Sequence, residues 1–144
     1  MSIIYKPQKE MELFAPFGPT MGYFRMPYEL VEKLNSKMSD KLKSYADNLV
    51  GKVSEELAFD EEILAIAQKG LGQFVGQYQA YTDFRNSMGV KKPDTENFDY
   101  GLQIVSGWFV RQFENEYNPL HIHTGSRLSC VGYLKLPEGI EEEW

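Results

Sequence analysis

The only two histidines of the chain, His121 and His123, lie two residues apart in the segment Tyr117–Ser126. In an extended strand, residues i and i+2 point to the same face, so the two imidazoles are expected side by side. Neutral imidazole is the commonest nitrogen ligand of zinc, iron, copper and nickel in proteins. The spacing therefore predicts two adjacent ligands of a metal site. The same spacing also occurs among surface residues of half-exposed strands, and the pattern alone leaves both interpretations open.

Two histidines do not complete a metal site. A non-haem iron site of the facial-triad type takes two histidines and one carboxylate, and structural zinc takes four ligands. Glu114 and Glu116 lie a few residues before His121 and could supply the carboxylate. Nothing in the pattern selects one of them, so the third ligand stays open.

The elements that must position these residues fall into three zones. Residues 1–26 predict a strand, a loop and a strand, because apolar and aromatic runs flank the turn signal at 15–20. Residues 27–88 predict helices. Residues 98–144 predict antiparallel strands, since β-branched and aromatic residues are concentrated at 100–113, 119–124 and 128–136.

The helical zone contains two periodic runs of apolar residues. The first run extends from Leu30 to Leu49, and the second extends from Ile63 to Tyr81. A spacing of three or four residues places each run on one face of a helix. Asp60 precedes the second run and is expected to be its N-cap. Residues 50–58 fit neither pattern clearly.

Helices followed by strands indicate an α+β fold rather than an alternating α/β fold. A length of 144 residues fits a single domain over residues 1–144. The three zones are then parts of that domain, with the helical layer packed on the later strands.

Composition excludes several classes of protein. The net charge of −6 and the isoelectric point of about 5.0 argue against a nucleic-acid partner and against an acidic membrane surface. A single cysteine, Cys130, rules out an intrachain disulfide and favours a reducing, cytoplasmic compartment. No apolar stretch approaches 18 residues, and the N-terminus lacks the pattern of a signal peptide. We therefore expect no membrane partner.

A longer pattern surrounds the histidines. Trp108 is followed by Tyr117-Asn118-x-x-His121-x-His123 and then by Leu128-Ser129-x-Val131-x-Tyr133-Leu134-x-x-Pro137. Over residues 100–139 this order and spacing resembles the iron(II)/2-oxoglutarate-dependent oxygenases, in particular their small phage and bacterial branch. A pattern close to it opens the double-stranded β-helix of that family.

The resemblance implies a jelly-roll barrel with flanking helices, here an N-terminal helical layer on a partial double-stranded β-helix whose core starts in residues 98–144. It implies iron(II) at the barrel mouth, 2-oxoglutarate chelating it, and hydroxylation of a small-molecule or peptide substrate. His121 would be the first iron ligand, and His123 falls where many relatives place an acidic residue. No catalytic residue beyond the ligands is assigned.

The resemblance also implies residues that bind the co-substrate. Tyr133, on the next predicted strand, could reach 2-oxoglutarate, and Asn118 belongs to the same motif. Arg127 and, less directly, Arg111 are candidates for holding its carboxylate. Cross-strand packing is the competing interpretation of Tyr133, and a solvated strand position is the competing interpretation of each arginine.

The chain departs from the family after the motif. Relatives carry a distal histidine ligand and a basic residue on later strands, whereas no histidine follows His123. We expect the chain to correspond to the front portion of such an enzyme, and whether it is active at this length stays open. Unpaired strand edges favour pairing with another chain, so we also expect a homo-oligomer.

Two further interpretations remain open. Cupin-like metal-binding or small-molecule-binding proteins share the barrel and a His-x-His start, and Pro137-Glu138-Gly139 resembles their later Pro-x-Gly element. Their glutamate is missing here, because residues 125–128 contain no acid. Alternatively, the chain is a non-catalytic oligomerising module in which both histidines are ordinary strand residues.

Overall fold

A computed structural model describes residues 12–14, 20–86 and 103–140 of the chain. Within these residues it has an α+β fold, as the order of the sequence patterns predicts. The elements are β1 (Glu12–Phe14), β2 (Met21–Tyr23), α1 (Tyr28–Lys37), β3 (Glu55–Ala58), α2 (Glu61–Asn86) and β4 (Trp108–Arg111), with a 3-10 turn at Ala46–Asn48.

The chain divides into two compact units. Unit 1 comprises Met1–Leu30 and Ala65–Ile104, and unit 2 comprises Val31–Leu64 and Val105–Trp144. The single-domain organisation over residues 1–144 stays a prediction. No helix among the described residues is long and apolar enough to cross a membrane.

In unit 1, β1 and β2 pair antiparallel, with Glu12 opposite Tyr23. This confirms the two predicted strands, and residues 15–19 of the predicted loop lie outside the described residues. After β2, the ring of Phe24 stacks on buried Phe74 of α2, with centroids 3.9 Å apart. The hydroxyl of Tyr78 donates a hydrogen bond to the carbonyl of Thr20 at 2.8 Å. Side chains of α2 thus contact the residues on both sides of β2.

The second predicted helix is confirmed as α2. Its N-cap is Asp60, whose Oδ1 accepts a hydrogen bond from the backbone N–H of Ile63 at 2.9 Å. Ile63, Ala67 and Phe74 of the predicted apolar face are buried. The apolar periodicity, the N-cap and the burial of these side chains therefore all agree with the predicted helix.

The first predicted helix is wrong beyond Lys37, where α1 ends. Ser39 and Asp40 follow, and such short polar side chains compete with the helical backbone for hydrogen bonds. The chain then pairs with β3 instead, because the N–H of Tyr45 donates to the carbonyl of Glu56 at 2.8 Å. Backbone pairing with a strand has overridden the helical periodicity, and β3 itself interrupts the predicted helical zone of 27–88.

The sheet of unit 2 is built from β3 and β4, which pair antiparallel with Glu55 opposite Arg111 and Ala58 opposite Trp108. An antiparallel bridge between Ser44 and Leu57 pairs the chain around Ser44 with the other edge of β3. Opposed residues lie on the same face of a sheet, so one face carries Tyr45, Glu56, Ala58, Trp108 and Val110. Phe109 points to the opposite face and is buried against Phe59, with centroids 4.6 Å apart.

The prediction of strands at 119–124 and 128–136 is wrong for this structure. The described residues 112–140 form no strand, and Tyr117 alone among them makes a bridge, to Lys52. Leu120, Ile122 and Val131 of these segments are exposed. A β-rich composition produces a strand only where a neighbouring backbone and a buried face are present. The predicted strand at 100–113 is reduced to β4, and residues 100–102 lie outside the described residues.

Candidate metal centre

Unit 2 contains an open cleft of about 350 Å³ beside the histidine segment. Its volume lies at the lower end of the range of small-molecule sites, roughly 300–1,000 Å³. Aromatic, aliphatic and uncharged polar side chains line it together with both imidazoles; the lining residues are Tyr45, Asn48, Leu49, Val50, Val105, Ser106, Trp108, Asn118, His121, Ile122, His123, Thr124, Gly125 and Ser126.

The two imidazoles lie together at this cleft. The Nε2 atoms of His121 and His123 are 3.2 Å apart, and the ring centroids are 4.8 Å apart with an angle of 67° between the planes. Both residues are exposed. The expected juxtaposition of the rings is present, although the backbone that produces it is irregular rather than a paired strand.

A backbone carbonyl orients the first ring. Nδ1 of His121 lies 2.7 Å from the carbonyl oxygen of Pro119. A carbonyl oxygen only accepts, so Nδ1 carries the proton and donates it. In the neutral ring, Nε2 of His121 then presents its lone pair toward His123. A hydrogen bond donated by the ring nitrogen that does not bind the metal is the usual way in which proteins fix the tautomer of a metal-ligating histidine.

The separation of the two Nε2 atoms suits a shared ion. Two nitrogen atoms that each lie about 2.1 Å from one ion, at a ligand angle between about 90° and 109°, are about 3.0–3.4 Å apart. The observed 3.2 Å falls within this range. Without an ion, the same distance fits one hydrogen bond in which His123 Nε2–H donates to Nε2 of His121.

The segment that carries the histidines is held where it enters the cleft. Lys52 and Tyr117 exchange two backbone hydrogen bonds, of 2.8 and 3.2 Å. The next residue, Asn118, packs against Gly51 so closely that a Cβ atom at Gly51 would lie 1.9 Å from its Oδ1. This contact places Asn118 and the following Pro119 at the start of the histidine segment.

Two aromatic residues form a wall of the cleft. The ring of Trp108 stacks on that of Tyr45 with centroids 4.8 Å apart and planes inclined by 17°. The centroid of His123 lies 6.0 Å from that of Trp108. Sequence reasoning assigned neither residue to the site, because Tyr45 falls within the first predicted helical run and Trp108 was named only as the first residue of the motif. The β-branched and aromatic run around Trp108 was the available signal for β4, but no pattern pairs it with Tyr45.

The predicted co-substrate residues have different positions. Asn118 lines the cleft, whereas Tyr133 and Arg127 are exposed and are absent from its described lining. Arg111 forms an ion pair with Glu55 at 2.6 Å, on the sheet face opposite to that of Trp108. The structure therefore brings one of the four candidates to the histidines.

Neither carboxylate considered as the third ligand lies in the cleft lining. Glu116 accepts hydrogen bonds from the backbone N–H groups of Ser54 and Phe113, each at 2.9 Å, and from the Ser54 hydroxyl. The Ser54 hydroxyl, followed by these amides, holds the pKa of Glu116 below its usual value. Glu114 is exposed. Glu116 is thus engaged in holding the backbone.

A buried carboxylate lies on the same sheet face as Trp108. Glu56 is 2% exposed, and its Oε1 has no hydrogen-bond partner. Burial, and secondly the charge of Glu116, raise the pKa of Glu56 above its usual value. The ionised form of Glu56 is therefore disfavoured at this position, on the sheet face that carries Trp108.

The donor set fits a metal ion in part. Two imidazoles are well placed, but across the described ranges no group of three or more histidine, cysteine, aspartate or glutamate residues is arranged to hold an ion. The described lining also contains no cationic side chain to bind the carboxylates of 2-oxoglutarate. The described residues thus fit a metal ion with two protein ligands and do not by themselves fit the oxygenase co-substrate. No protein-family model, no curated protein and no solved structure matches the chain.

Proposed function

We propose that unit 2 binds a divalent transition-metal ion through Nε2 of His121 and Nε2 of His123. The observation that carries the proposal is the 3.2 Å separation of these atoms, with His121 oriented by the Pro119 carbonyl. Imidazole donors favour zinc, copper, iron and nickel over magnesium or calcium. The resemblance to the iron(II)-dependent oxygenases makes iron(II) the ion to test first.

Two protein ligands would leave coordination positions for water or for a chelating small molecule in the cleft. A bound ion would supply Lewis-acid or redox chemistry there. The residues of the chain would hold and orient it: Pro119 fixes the tautomer of His121, and the uncharged side chains of the lining shape the space for the small molecule.

The binding test compares the full chain with three variants, His121→Ala, His123→Ala and the double variant. Nickel(II) and cobalt(II) titrations by calorimetry, and iron(II) titrations without oxygen, should show one ion per chain. Each single variant should weaken binding by at least about tenfold, because one of two ligands is removed. Leu120→Ala is the matched control, since Leu120 is exposed and adjacent to His121.

Circular dichroism of each variant shows whether the fold is retained. Equal affinity in the wild type and in the double variant would contradict the proposal, as would a wild-type chain without affinity for any of the three ions.

A second candidate function is that of an iron(II)/2-oxoglutarate oxygenase with a double-stranded β-helix. The motif order from Trp108 to Pro137 and the position of the histidine pair beside the cleft support it. It needs a third donor and a cationic residue from outside the described lining; a second copy of the chain in a homo-oligomer is one source. Succinate formation from 2-oxoglutarate, dependent on iron(II), oxygen and His121, is the expected result. A metal-loaded chain that forms no succinate would contradict this candidate and leave the cupin-like alternative of metal binding alone.

A further inference from the structure

The two imidazoles of the proposed metal site are held by different means. His121 is oriented by a hydrogen bond from Nδ1 to the Pro119 carbonyl. The contacts that the structure records for the ring of His123 are with His121 and with the ring of Trp108. In the absence of metal, the ring of His123 is therefore oriented by its contact with His121 and by the aromatic wall of the cleft.

We propose that Trp108, braced by Tyr45, is a positioning residue that keeps Nε2 of His123 directed at Nε2 of His121. This inference rests on the proposed metal binding. An exposed histidine on an irregular segment has several staggered rotamers available, and only some of them direct Nε2 at the neighbouring ring. A fixed aromatic surface beside the ring reduces that choice, so the site is formed before the ion arrives.

The wall itself is fixed by the sheet. Trp108 lies in β4 opposite Ala58, and its neighbour Gly107 is fixed by a 2.9 Å hydrogen bond from the Phe59 N–H to the Gly107 carbonyl. A Cβ atom at Gly107 would lie 2.5 Å from Phe59, so this stretch of backbone is closely packed.

Tyr45 is fixed from the other edge of the same sheet. Its backbone N–H donates to the carbonyl of Glu56 at 2.8 Å, and its ring lies nearly parallel to that of Trp108. Because Tyr45 and Trp108 are anchored on either side of β3, the backbones that carry the two rings are fixed, and the stacked rings limit each other's rotation. The Trp108 ring thereby limits the orientations that the neighbouring ring of His123 can adopt.

The test uses Trp108→Leu, which removes the aromatic surface, and Trp108→Phe, which keeps a ring. Nickel(II) affinity should fall about tenfold in Trp108→Leu, the scale on which residues that support metal ligands act, and should be largely retained in Trp108→Phe. Tyr45→Leu should produce a smaller loss of the same kind. Phe113→Leu is the control, since Phe113 is an exposed aromatic residue shortly after β4 and is absent from the described cleft lining.

Two readouts separate positioning from a general loss of structure. In a His123→Ala background, Trp108→Leu should cause no further loss of affinity, because the ring that it positions is gone. In the metal-free chain, the ring-proton NMR signals of His123 should move on Trp108→Leu while those of His121 stay nearer their wild-type positions. Tyr45→Leu, which removes the ring that braces Trp108, supplies the same comparison if Trp108→Leu does not fold.

The outcomes distinguish this inference from the proposed function. Wild-type affinity in Trp108→Leu, or an equal loss with and without His123, overturns the positioning role while metal binding stands. A wild-type chain that binds no metal overturns the proposed function, and the inference with it.

Discussion

The carboxylate of Glu116 takes the place of a backbone partner for Ser54. It accepts the N–H of Ser54 at 2.9 Å and also the hydroxyl of the same residue. The sheet pairing ends at Glu55 opposite Arg111 and resumes at Lys52 opposite Tyr117, so residues 112–116 form a bulge opposite residues 53 and 54. Asn115 in this bulge has a positive φ of 64°. The side chain of Glu116 closes the bulge from which the chain runs on to His121.

Glu116→Gln should lower the melting temperature at neutral pH, because an amide cannot accept three donors as a carboxylate does. The pKa of Glu116 is lowered in the folded state. The contribution of the Glu116 carboxylate to stability is therefore fully present above its unfolded pKa of about 4.5 and is lost as the pH falls through the lower folded pKa. Thermal unfolding followed between pH 3 and pH 7 should show that the melting temperature of Glu116→Gln falls less steeply with decreasing pH than that of the wild type. Parallel acid profiles would contradict this assignment.

Glu56→Gln should have the opposite effect. The pKa of Glu56 is raised by burial and by Glu116, so folding favours its protonated form, and its ionised form destabilises the fold as the pH rises from the unfolded pKa through the folded one. The neutral amide has nearly the same shape and removes that charge. We expect a higher melting temperature than the wild type at pH 7 and a difference that vanishes below about pH 4.

Glu55→Gln is the matched control for this variant. Glu55 is the preceding residue of β3, but its carboxylate is paired with Arg111 on the opposite face. Its substitution should not raise the melting temperature at pH 7. A decrease in stability on Glu56→Gln at that pH would mean that the carboxylate has a favourable partner.

Two glycines of α2 provide a test of packing within unit 1. A Cβ atom at Gly70 would lie 2.5 Å from Cδ1 of buried Leu30, whereas one at Gly72 would meet nothing nearer than Gln68 at 3.9 Å. Replacing an interior helical glycine by alanine gains up to about 1 kcal/mol, and overpacking costs about 1–3 kcal/mol. Gly72→Ala should therefore stabilise by up to about 1 kcal/mol, while Gly70→Ala should be neutral or destabilising by up to about 2 kcal/mol. Urea unfolding measures both, and equal stabilisation by the two variants would contradict the close contact with Leu30.

The sequence predicted those elements whose determinants are local. Helix α2 has many turns of consistent apolar period and an N-cap at Asp60, and both are visible in the order of residues. The end of α1 at Lys37 was missed because the residues after it pair with β3, a contact that the periodicity of the chain does not encode. For the same reason, the β-rich segments at 119–124 and 128–136 were assigned to strands that lack a paired neighbour here.

The candidate site was predictable to a similar extent. The adjacency of the rings of His121 and His123 follows from a spacing of two on any nearly extended backbone, so the sequence indicated it. The contribution of Tyr45 requires the register between residues 43–45 and β3, and the contact between Asn118 and Gly51 requires the bridge between Lys52 and Tyr117. These contacts join residues that are far apart in the sequence. Tyrosine, asparagine and glycine occur in many other structural settings, so their presence in the sequence does not indicate these contacts.

The contact between Gly51 and Asn118 predicts a substitution that affects the cleft without touching either histidine. In Gly51→Ala, the new Cβ would lie 1.9 Å from Oδ1 of Asn118 in its present position. Asn118 must then move, and Pro119, whose carbonyl orients His121, follows it directly in the chain. We expect Gly51→Ala to weaken nickel(II) binding several-fold, and we expect the double variant Gly51→Ala/Asn118→Ala to recover part of the loss, since the shorter side chain removes the overlap. Asn118→Ala alone measures any direct contribution of the amide. If the double variant binds as weakly as the sum of the two single losses, the two residues act independently and the contact does not position the site.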